Sequence, residues 1–154
     1  MLRPATTEDA KAITAVFIHS RRTFISYAPI AHTESEISTW IGATLIPSGS
    51  VVVWEAENQV VGFIATSVDD NSSWIDQLYV LPDWTGSGIG NKLLQHAQRS
   101  LARPIKLYTF QQNMNARSFY EHHGYKAIKF SSGENNEEGC PDVLYELSAP
   151  EPEA

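Results

Sequence analysis

The residues most suited to chemistry lie in a glycine-rich turn, where Gly86, Gly88 and Gly90 alternate within residues 82–90 (PDWTGSGIG). A predicted strand, residues 74–81, precedes the turn, and a helical apolar stripe follows it. Such a turn directs free backbone N–H groups and the positive end of the helix dipole at one place. Glycines also let the backbone approach a ligand without Cβ clashes. The pattern therefore predicts a phosphate or pyrophosphate ligand.

Two familiar phosphate-binding patterns do not fit the spacing of these glycines. The Walker pattern requires Lys and then Ser or Thr directly after its last glycine, whereas Gly90 is followed by Asn91 and Lys92. The dinucleotide fingerprint requires G-x-G-x-x-G beside the first strand, whereas here several strands come earlier and the pattern is G-x-G-x-G. A tight strand-to-helix connection that binds nothing is the remaining alternative, and it does not need three alternating glycines.

Two segments together resemble the GNAT superfamily of N-acetyltransferases. Residues 82–94 (PDWTGSGIGNKLL) look like the acetyl-coenzyme A signature of that family, and residues 113–125 (NMNARSFYEHHGY) are similar to its following helix motif. Residues 2–10 also resemble a GNAT beginning, so the resemblance extends from there to about Leu147. At one position the sequence departs from the family pattern. Thr85 stands where the family has Arg or Gln, which removes a long side chain near the pyrophosphate.

The resemblance implies direct attack of an amine on the thioester of acetyl-CoA, which serves as co-substrate. The cofactor is expected between two strands that splay apart, residues 74–81 and 105–110, with backbone groups holding the pantetheine arm. The residues that the resemblance assigns to cofactor binding are Leu78, Tyr79, Val80, Thr85, Gly86, Ser87, Gly88, Ile89, Gly90, Asn113 and Tyr120.

Amine attack on a thioester requires a neutral amine and favours protonation of the leaving thiolate, so a general base and a general acid are wanted. Tyr120 matches the family's usual general acid, and the alternative is a core tyrosine beside Phe119. Asp76, an acid within an otherwise apolar strand, is the predicted base or the anchor of the substrate's ammonium. An ion-paired or solvent-facing carboxylate is its alternative role. His32 is a second candidate base.

The position of Asp76 follows from strand alternation, which predicts that it shares one sheet face with Leu78 and Val80. The resemblance implies an acceptor pocket between the first two helices, their connection and a late polar loop, residues 135–142. Acids and aromatic rings there suit a cation, although a solvated loop is the better explanation of Glu137 and Glu138 by themselves. Phe24 is expected in this pocket, and the residues predicted to bind the acceptor are Tyr27, His32, Trp40, Asp76 and Asp142.

The resemblance, together with these residues, implies an N-acetyltransferase that acts on a primary amine of a small molecule. A peptide or protein amine remains open as the acceptor. An alternative of another class is a sensor or regulatory module that binds an acyl-CoA without turnover, for which the departure at Thr85 leaves room. No metal is expected, because no H-E-x-x-H pattern exists and His122-His123 lacks metal-ligand spacing.

The elements that must position these residues form one α/β domain, residues 1–147, followed by a flexible tail at residues 148–154. Hairpin, strand, helix, strand, helix and strand follow in order, which predicts a mixed sheet with helices on both faces. The resemblance implies a mostly antiparallel sheet of about seven strands with a splayed pair holding the cofactor. Helices are predicted at residues 10–20, from 34 to before Pro47, from 89 to before Pro104, and 114–123. Strands are predicted at residues 2–5, 50–57, 60–68, 74–81, 105–110, 125–130 and 143–147, with a hairpin turn at Asn58-Gln59.

Composition restricts the class of protein further. The chain has 154 residues, 42% of them hydrophobic, with a net charge of −7 and one cysteine, Cys140. The acidic balance disfavours a nucleic-acid partner. The sequence has no apolar run of about 20 residues and no apolar segment after the first positive charge, which disfavours a membrane span and a signal peptide. The expected location is cytoplasmic. The expected partners are acetyl-CoA and a small amine, and a homodimer remains open.

Overall fold

Seven strands form one sheet in the computed structural model, which describes residues 1–150. Their order across the sheet is β1-β2-β3-β4-β5-β7-β6, and every neighbouring pair is antiparallel except β4 and β5. This confirms the predicted mixed, mostly antiparallel sheet. The predicted tail continues beyond Pro150 into residues 151–154, which lie outside the described part of the chain. The strands are β1 Leu2–Pro4, β2 Val51–Ala56, β3 Gln59–Val68, β4 Ser73–Val80, β5 Ile105–Phe110, β6 Lys126–Ser131 and β7 Asp142–Leu147.

Four α-helices pack on the two faces of this sheet: α1 Ala10–Phe24, α2 Glu34–Trp40, α3 Ile89–Ser100 and α4 Met114–His122. Single 3-10 turns precede α1 (Thr7–Asp9) and α3 (Pro82–Trp84). After α2 the chain widens into a π turn, Ile41–Leu45, and then tightens into a 3-10 turn, Ile46–Ser48, so the predicted second helix is divided into three parts. Within residues 1–150, none of the helices has the length and apolar character needed to cross a membrane.

Local signals fix most of the helix ends. The Thr33 hydroxyl accepts from the Glu36 backbone N–H at 3.1 Å, and the Glu36 carboxylate accepts from the Thr33 N–H at 3.0 Å, and these two bonds form a capping box at the start of α2. Asn113 caps α4 by accepting from the Ala116 N–H at 3.2 Å. Helix α1 runs one turn beyond its predicted end at Ser20, to Phe24. The hairpin turn also lies one residue earlier than predicted, since Glu57 and Asn58 take the positive φ angles.

The core has two layers, one on each sheet face. Helices α3 and α4 cover one face, where Ile64, Ile75, Leu93 and Tyr120 belong to one apolar cluster. Helices α1 and α2 cover the other face, around Ile13 and Phe63 among others. Helices therefore cover most of β2 to β5, and a ligand can reach the backbone of these central strands where two of them separate.

The two strands that separate are β4 and β5. The two parallel strands pair only at their starts, where Ser73 opposes Ile105 and Trp74 opposes Lys106. Beyond this point β4 stays with β3 as far as Val80, while β5 stays with β7 as far as Phe110. The strands therefore diverge, and we call the opening between them the splay.

Candidate active site

A cavity of about 520 Å³ opens at the splay, between β4, the glycine-rich turn, the start of α3 and α4. We call it the splay cavity. All the residues predicted to bind the cofactor line it except Ser87, whose exposed hydroxyl donates to the Trp84 carbonyl. Its lining also includes Ser20, Phe24 and Ile25 from α1 and the residue after it, so Phe24 lies here and not in the predicted acceptor pocket.

The glycine-rich turn presents free backbone N–H groups to the splay cavity. Gly86 and Gly88 have φ angles of 79° and 87°, in the left-handed region that favours glycine. Gly88 begins α3 without any side-chain cap, and the first helical bond there joins the Lys92 N–H to the Gly88 carbonyl at 3.1 Å. The amides before Lys92 therefore lack helical partners and point out of the helix end. Thr85 does not extend toward them, since its hydroxyl donates back to the Pro82 carbonyl at 2.8 Å.

The free edge of β4 supplies further backbone groups to this cavity. The Leu81 N–H donates to the Val61 carbonyl of β3 at 2.8 Å. In an antiparallel ladder the direction of the backbone groups alternates, so Tyr79 also turns its N–H and C=O toward β3. Leu78 and Val80 turn theirs toward the splay. The Val80 carbonyl is already occupied there by the Ser20 hydroxyl, at 2.8 Å.

Tyr120 has its ring in the core and its hydroxyl available to the splay cavity. The ring packs against Phe119, Tyr125 and Tyr145, with centroids 5.2, 5.6 and 6.4 Å away. Among the described residues the Tyr125 hydroxyl is bonded to Gln98 and the Tyr145 hydroxyl to Glu121 and Arg117, whereas no partner lies within reach of the Tyr120 hydroxyl. Burial raises the pKa of Tyr120 well above its usual value of 10.0, so the phenol stays protonated at neutral pH.

Two further cavities lie on the face that α1 and α2 cover. The helix cavity, about 470 Å³, is bounded by these helices and the loop after β6, and His32 and Trp40 line it. The loop cavity, about 570 Å³, lies between β4, β5 and the same loop, and Asp76 and Asp142 line it. Tyr27 is not among the residues that line either cavity; its ring meets Phe110 edge-on at 6.2 Å.

Asp76 occupies a bulge in β4, which the predicted alternation did not anticipate. Gln77 opposes Ala65 and Ile75 opposes Thr66, so Asp76 is the extra residue between them. Ile75 and Leu78 therefore both pack in the α3 cluster, while Asp76 opens toward the opposite face. The prediction that Asp76 shares a face with Leu78 was wrong for this reason. Asp76 is exposed, yet the surrounding protein removes enough water to raise its pKa.

Asp76 and Tyr120 also line one small cavity. This space, about 90 Å³, lies beneath the splay, and we call it the bridging cavity because residues of the splay cavity and of the loop cavity both line it. Leu78 and Asn113 are part of its wall. Asp76 and Tyr120 therefore both border one space beside the free edge of β4.

The helix and loop cavities share one buried charge that sequence analysis missed. Arg21 of α1 lines both the helix cavity and the loop cavity, and only 6% of its surface is exposed. It continues the buried face of α1, four residues after Phe17. Sequence analysis missed the burial of Arg21 because it ended the helix at Ser20. Extending the helical spacing by one turn places Arg21 on the buried face.

The loop after β6 is held near these cavities by polar contacts. His32 Nε2 lies 3.2 Å from Glu137 Oε2, and His32 Nδ1 lies 4.0 Å from Glu36 Oε2. Asn136 donates to the Cys140 carbonyl at 2.7 Å and to the Asp142 carboxylate at 3.2 Å. Across residues 1–150, no three His, Cys, Asp or Glu side chains come together in a group that could hold a metal ion.

Comparisons with known proteins agree with this arrangement. The family described as "Acetyltransferase (GNAT) domain" matches residues 47–127, just over half of the chain. An uncharacterized N-acetyltransferase of Archaeoglobus fulgidus is 29% identical over 131 residues, which cover 77% of this chain and 88% of that protein. A spermidine N(1)-acetyltransferase of Thermoplasma acidophilum is 31% identical over 75 residues, 46% of this chain and 47% of that protein.

Solved structures share the fold. The PaiA N-acetyltransferase of Thermoplasma acidophilum, in complex with coenzyme A, matches with a TM-score of 0.71 and 21% identity, over 97% of this chain and 98% of that one. The fold and the family match together define an acyltransferase of the GNAT class. The chain belongs to the GNAT acetyltransferase family, and the resemblance found in its sequence is confirmed.

Proposed function

We propose that this protein transfers the acetyl group of acetyl-CoA to the primary amine of a small molecule, by direct attack of the amine on the thioester. The observation that carries the proposal is the bridging cavity, where Asp76 and Tyr120 face one space at the splay. A base and an acid around one small volume is what proton removal from an amine and proton delivery to a thiolate require.

Acetyl-CoA is assigned to the splay cavity. The free amides at the start of α3 and the positive end of the helix dipole suit its pyrophosphate. Main-chain groups of Leu78 at the open β4 edge suit the amides of the pantetheine arm. The phosphate site is mostly backbone, so the short Thr85 side chain is compatible with it. The coenzyme A complex of the Thermoplasma PaiA protein, which shares this fold, supports the assignment.

The reaction then has three protein contributions. Asp76 takes a proton from the acceptor's ammonium, directly or through a water, which gives the amine its nucleophilic lone pair. The Leu78 N–H, free on the splay edge, is suited to stabilise the oxyanion that forms on the thioester carbonyl. Tyr120 gives its proton to the sulfur as the tetrahedral intermediate collapses to the amide and the free thiol. The high pKa of Tyr120 keeps that proton available at neutral pH.

The acceptor is assigned to the helix and loop cavities. Together they offer about 1,000 Å³ beside Asp76, a volume typical of small-molecule sites. Similarity to a spermidine N(1)-acetyltransferase over 46% of the chain supports an amine acceptor. The second candidate is an acyl-CoA sensor without turnover, which the position of Thr85 favours, since its side chain turns away from the phosphate site.

The test combines binding and turnover. Calorimetry measures acetyl-CoA binding, and a thiol-release assay measures CoA formation with a panel of small amines and of peptides with free N-termini. CoA release with small amines, above the rate of thioester hydrolysis, supports the proposal. Acetyl-CoA binding with no release across the whole panel supports the sensor, and release only with peptides overturns the small-molecule acceptor.

A further inference from the structure

Arg21 is a buried cation with weak protein partners. Its side chain is 7% exposed, and its guanidinium donates from Nη2 to the Pro29 carbonyl at a long 3.4 Å and also lies beside the Tyr79 hydroxyl. The nearest carboxylate, Glu138, is 3.7 Å from the same nitrogen. Nε is buried and has no partner in the described part of the chain. The rings of Phe17 and Phe110 contact the guanidinium carbon at 5.4 and 5.6 Å.

A buried guanidinium with five N–H donors and so few acceptors is costly. Folding alone does not explain it, because an apolar side chain of similar length would fill the same space without a charge to desolvate. Arg21 lies where the helix and loop cavities meet, since it lines both. The missing acceptors can therefore come from a molecule bound in that space.

The loop cavity contains a second unsatisfied group, of opposite sign. Asp142 accepts from Asn136 through Oδ2, at 3.2 Å, while its Oδ1 is buried and unpaired within residues 1–150. These two residues hold the only buried side-chain nitrogen or oxygen atoms without partners in the described chain, and both residues line the loop cavity. One cavity thus combines an under-satisfied cation with an under-satisfied anion.

We propose that the acceptor is an amine that also carries a carboxylate, such as a free amino acid, with Arg21 binding the carboxylate and Asp142 assisting on the ammonium side. This inference rests on the proposed function and adds the substrate class to it. The planar guanidinium is suited to the two oxygens of a carboxylate.

The surrounding charge favours one carboxylate over a phosphate, and the under-satisfied Arg21 favours a ligand with a carboxylate over a polycation without one. Glu138 already offsets part of the charge of Arg21, and Asp76, Glu134 and Glu137 line the same loop cavity. A doubly charged phosphate is repelled by these carboxylates more strongly than a single carboxylate is. A polyamine offers Arg21 no anion and brings further positive charge near it.

The experiment compares amino acids with their carboxamides. Each pair presents the same side chain and a primary α-amine but differs in the carboxylate, and CoA release gives kcat/KM for both. The wild-type protein should prefer the acid to the amide by about 10- to 150-fold, the range for one charge-assisted contact. Arg21→Met should reduce that ratio to near one. The intrinsic basicity of each amine is the same for both proteins and cancels in the comparison.

Controls separate this effect from misfolding. Arg22→Met removes a neighbouring exposed arginine and should keep the wild-type ratio. The double variant Arg21→Met with Glu138→Gln avoids leaving Glu138 without its cation and should behave like Arg21→Met. Thermal unfolding and acetyl-CoA affinity, measured on each variant, establish that the fold and the splay cavity are intact. An unchanged ratio in a folded Arg21→Met protein, or in the double variant, overturns the inference.

The outcomes also distinguish this inference from the function on which it rests. If diamines or amides release CoA and a carboxylate does not raise kcat/KM, the proposed function stands and the inference is overturned. A preference for O-phosphoethanolamine over amino acids shows a phosphate subsite and overturns the choice of a carboxylate. If no amine releases CoA, calorimetric titration with amino acids decides. If the wild-type protein binds an amino acid and the Arg21→Met variant does not, the carboxylate subsite is supported. If the wild-type protein binds no amino acid, the carboxylate subsite is overturned.

Discussion

Ser20 of α1 and Val80 of β4 are joined by a hydrogen bond of 2.8 Å, from the serine hydroxyl to the main-chain carbonyl. The bond fastens α1 to the splayed edge of the sheet. Ser20 lines the splay cavity, while the next residue, Arg21, lines the helix and loop cavities. The end of helix α1 therefore lies between the splay cavity on one side and the helix and loop cavities on the other. The hydrogen bond from Ser20 to Val80 holds this end of α1 against β4.

Gly90→Asp should abolish acetyl-CoA binding without destabilising the fold. Gly90 lies in the first turn of α3 and lines the splay cavity, and a Cβ there meets Phe119 and Val80 at ordinary distances of 3.7 to 4.0 Å. A carboxylate in the first turn favours the helix dipole but repels a pyrophosphate. We expect calorimetry to show at least a tenfold loss of affinity, about 1.4 kcal/mol, with an unchanged or higher Tm.

Gly90 is a better probe than Gly86 or Gly88, since the positive φ of those two residues makes any side chain strained. Gln95→Asp places the same charge at an exposed position later on the same helix and should leave affinity unchanged. If Gly90→Asp binds acetyl-CoA with wild-type affinity, the pyrophosphate does not bind at the glycine-rich turn.

Tyr120→Phe should slow turnover while leaving acetyl-CoA affinity largely unchanged. The substitution keeps the ring among its aromatic neighbours and removes only the hydroxyl proton. Loss of a general acid typically costs about 10²–10⁴-fold in rate. Steady-state kinetics with acetyl-CoA, under conditions where the chemical step limits, measure the effect.

Tyr125→Phe is the matched control for this experiment. Tyr125 is a buried tyrosine of the same cluster, but its hydroxyl accepts from Gln98 at 2.7 Å and lies outside the splay cavity lining. Its loss should reduce stability by about 0.5–1.5 kcal/mol and leave turnover unchanged. If Tyr120→Phe and Tyr125→Phe have equal turnover, Tyr120 is not the general acid and serves only in packing.

Sequence analysis correctly predicted the helices, strands and turns that depend on residues close together in the chain. Capping residues such as Thr33 and Asn113, the glycine-rich turn and the strand patterns are each readable within a few residues, and they produce the observed elements. The resemblance to a family added the splay, which no local pattern encodes. The bulge at Asp76 was missed because it depends on pairing between two strands, and strict alternation has no means of inserting an extra residue.

The site was predictable on its donor side and less so on its acceptor side. Backbone groups of one continuous segment form most of the donor side, so a motif captures it. The acceptor side is assembled from α1, α2, β4 and a distant loop, and composition alone suggested a cationic ligand. Arg21 changes that expectation, and its burial follows from the packing of α1 against the sheet, which no short pattern specifies.

Asp9→Asn should destabilise the fold at neutral pH and do so less as the pH falls. Both oxygens of Asp9 accept from Arg3, at 2.8 and 2.9 Å, and this lowers the pKa of Asp9 below its ordinary 3.8. A lowered pKa means stabilisation that is present above 3.8 and lost as the pH falls through the folded-state value. We expect a cost of about 1.5–3 kcal/mol at pH 7 in urea unfolding.

Glu8→Gln is the control, because Glu8 is an exposed acid directly beside Asp9. It should change the free energy of unfolding by no more than about 0.5 kcal/mol. A cost for Asp9→Asn that stays constant down to pH 3 would exclude the ionised pair as its source.

Asp76→Asn should remove the base and make the fold slightly more stable at neutral pH. Burial raises the pKa of Asp76, so the folded protein disfavours its ionised form. Ionised Asp76 therefore lowers the stability of the wild-type protein. This loss of stability is absent below the ordinary value of 3.8 and appears as the pH rises through the folded-state pKa, and Asn, which does not ionise, avoids it.

Turnover of Asp76→Asn should fall about 10²–10⁴-fold, and the acidic limb of the kcat/KM profile should disappear. Asp69→Asn, the same substitution at an exposed turn carboxylate whose pKa backbone hydrogen bonds lower, should shift stability in the opposite direction and keep that limb. If the limb persists in Asp76→Asn while the acceptor KM rises, Asp76 holds the ammonium and another group removes the proton.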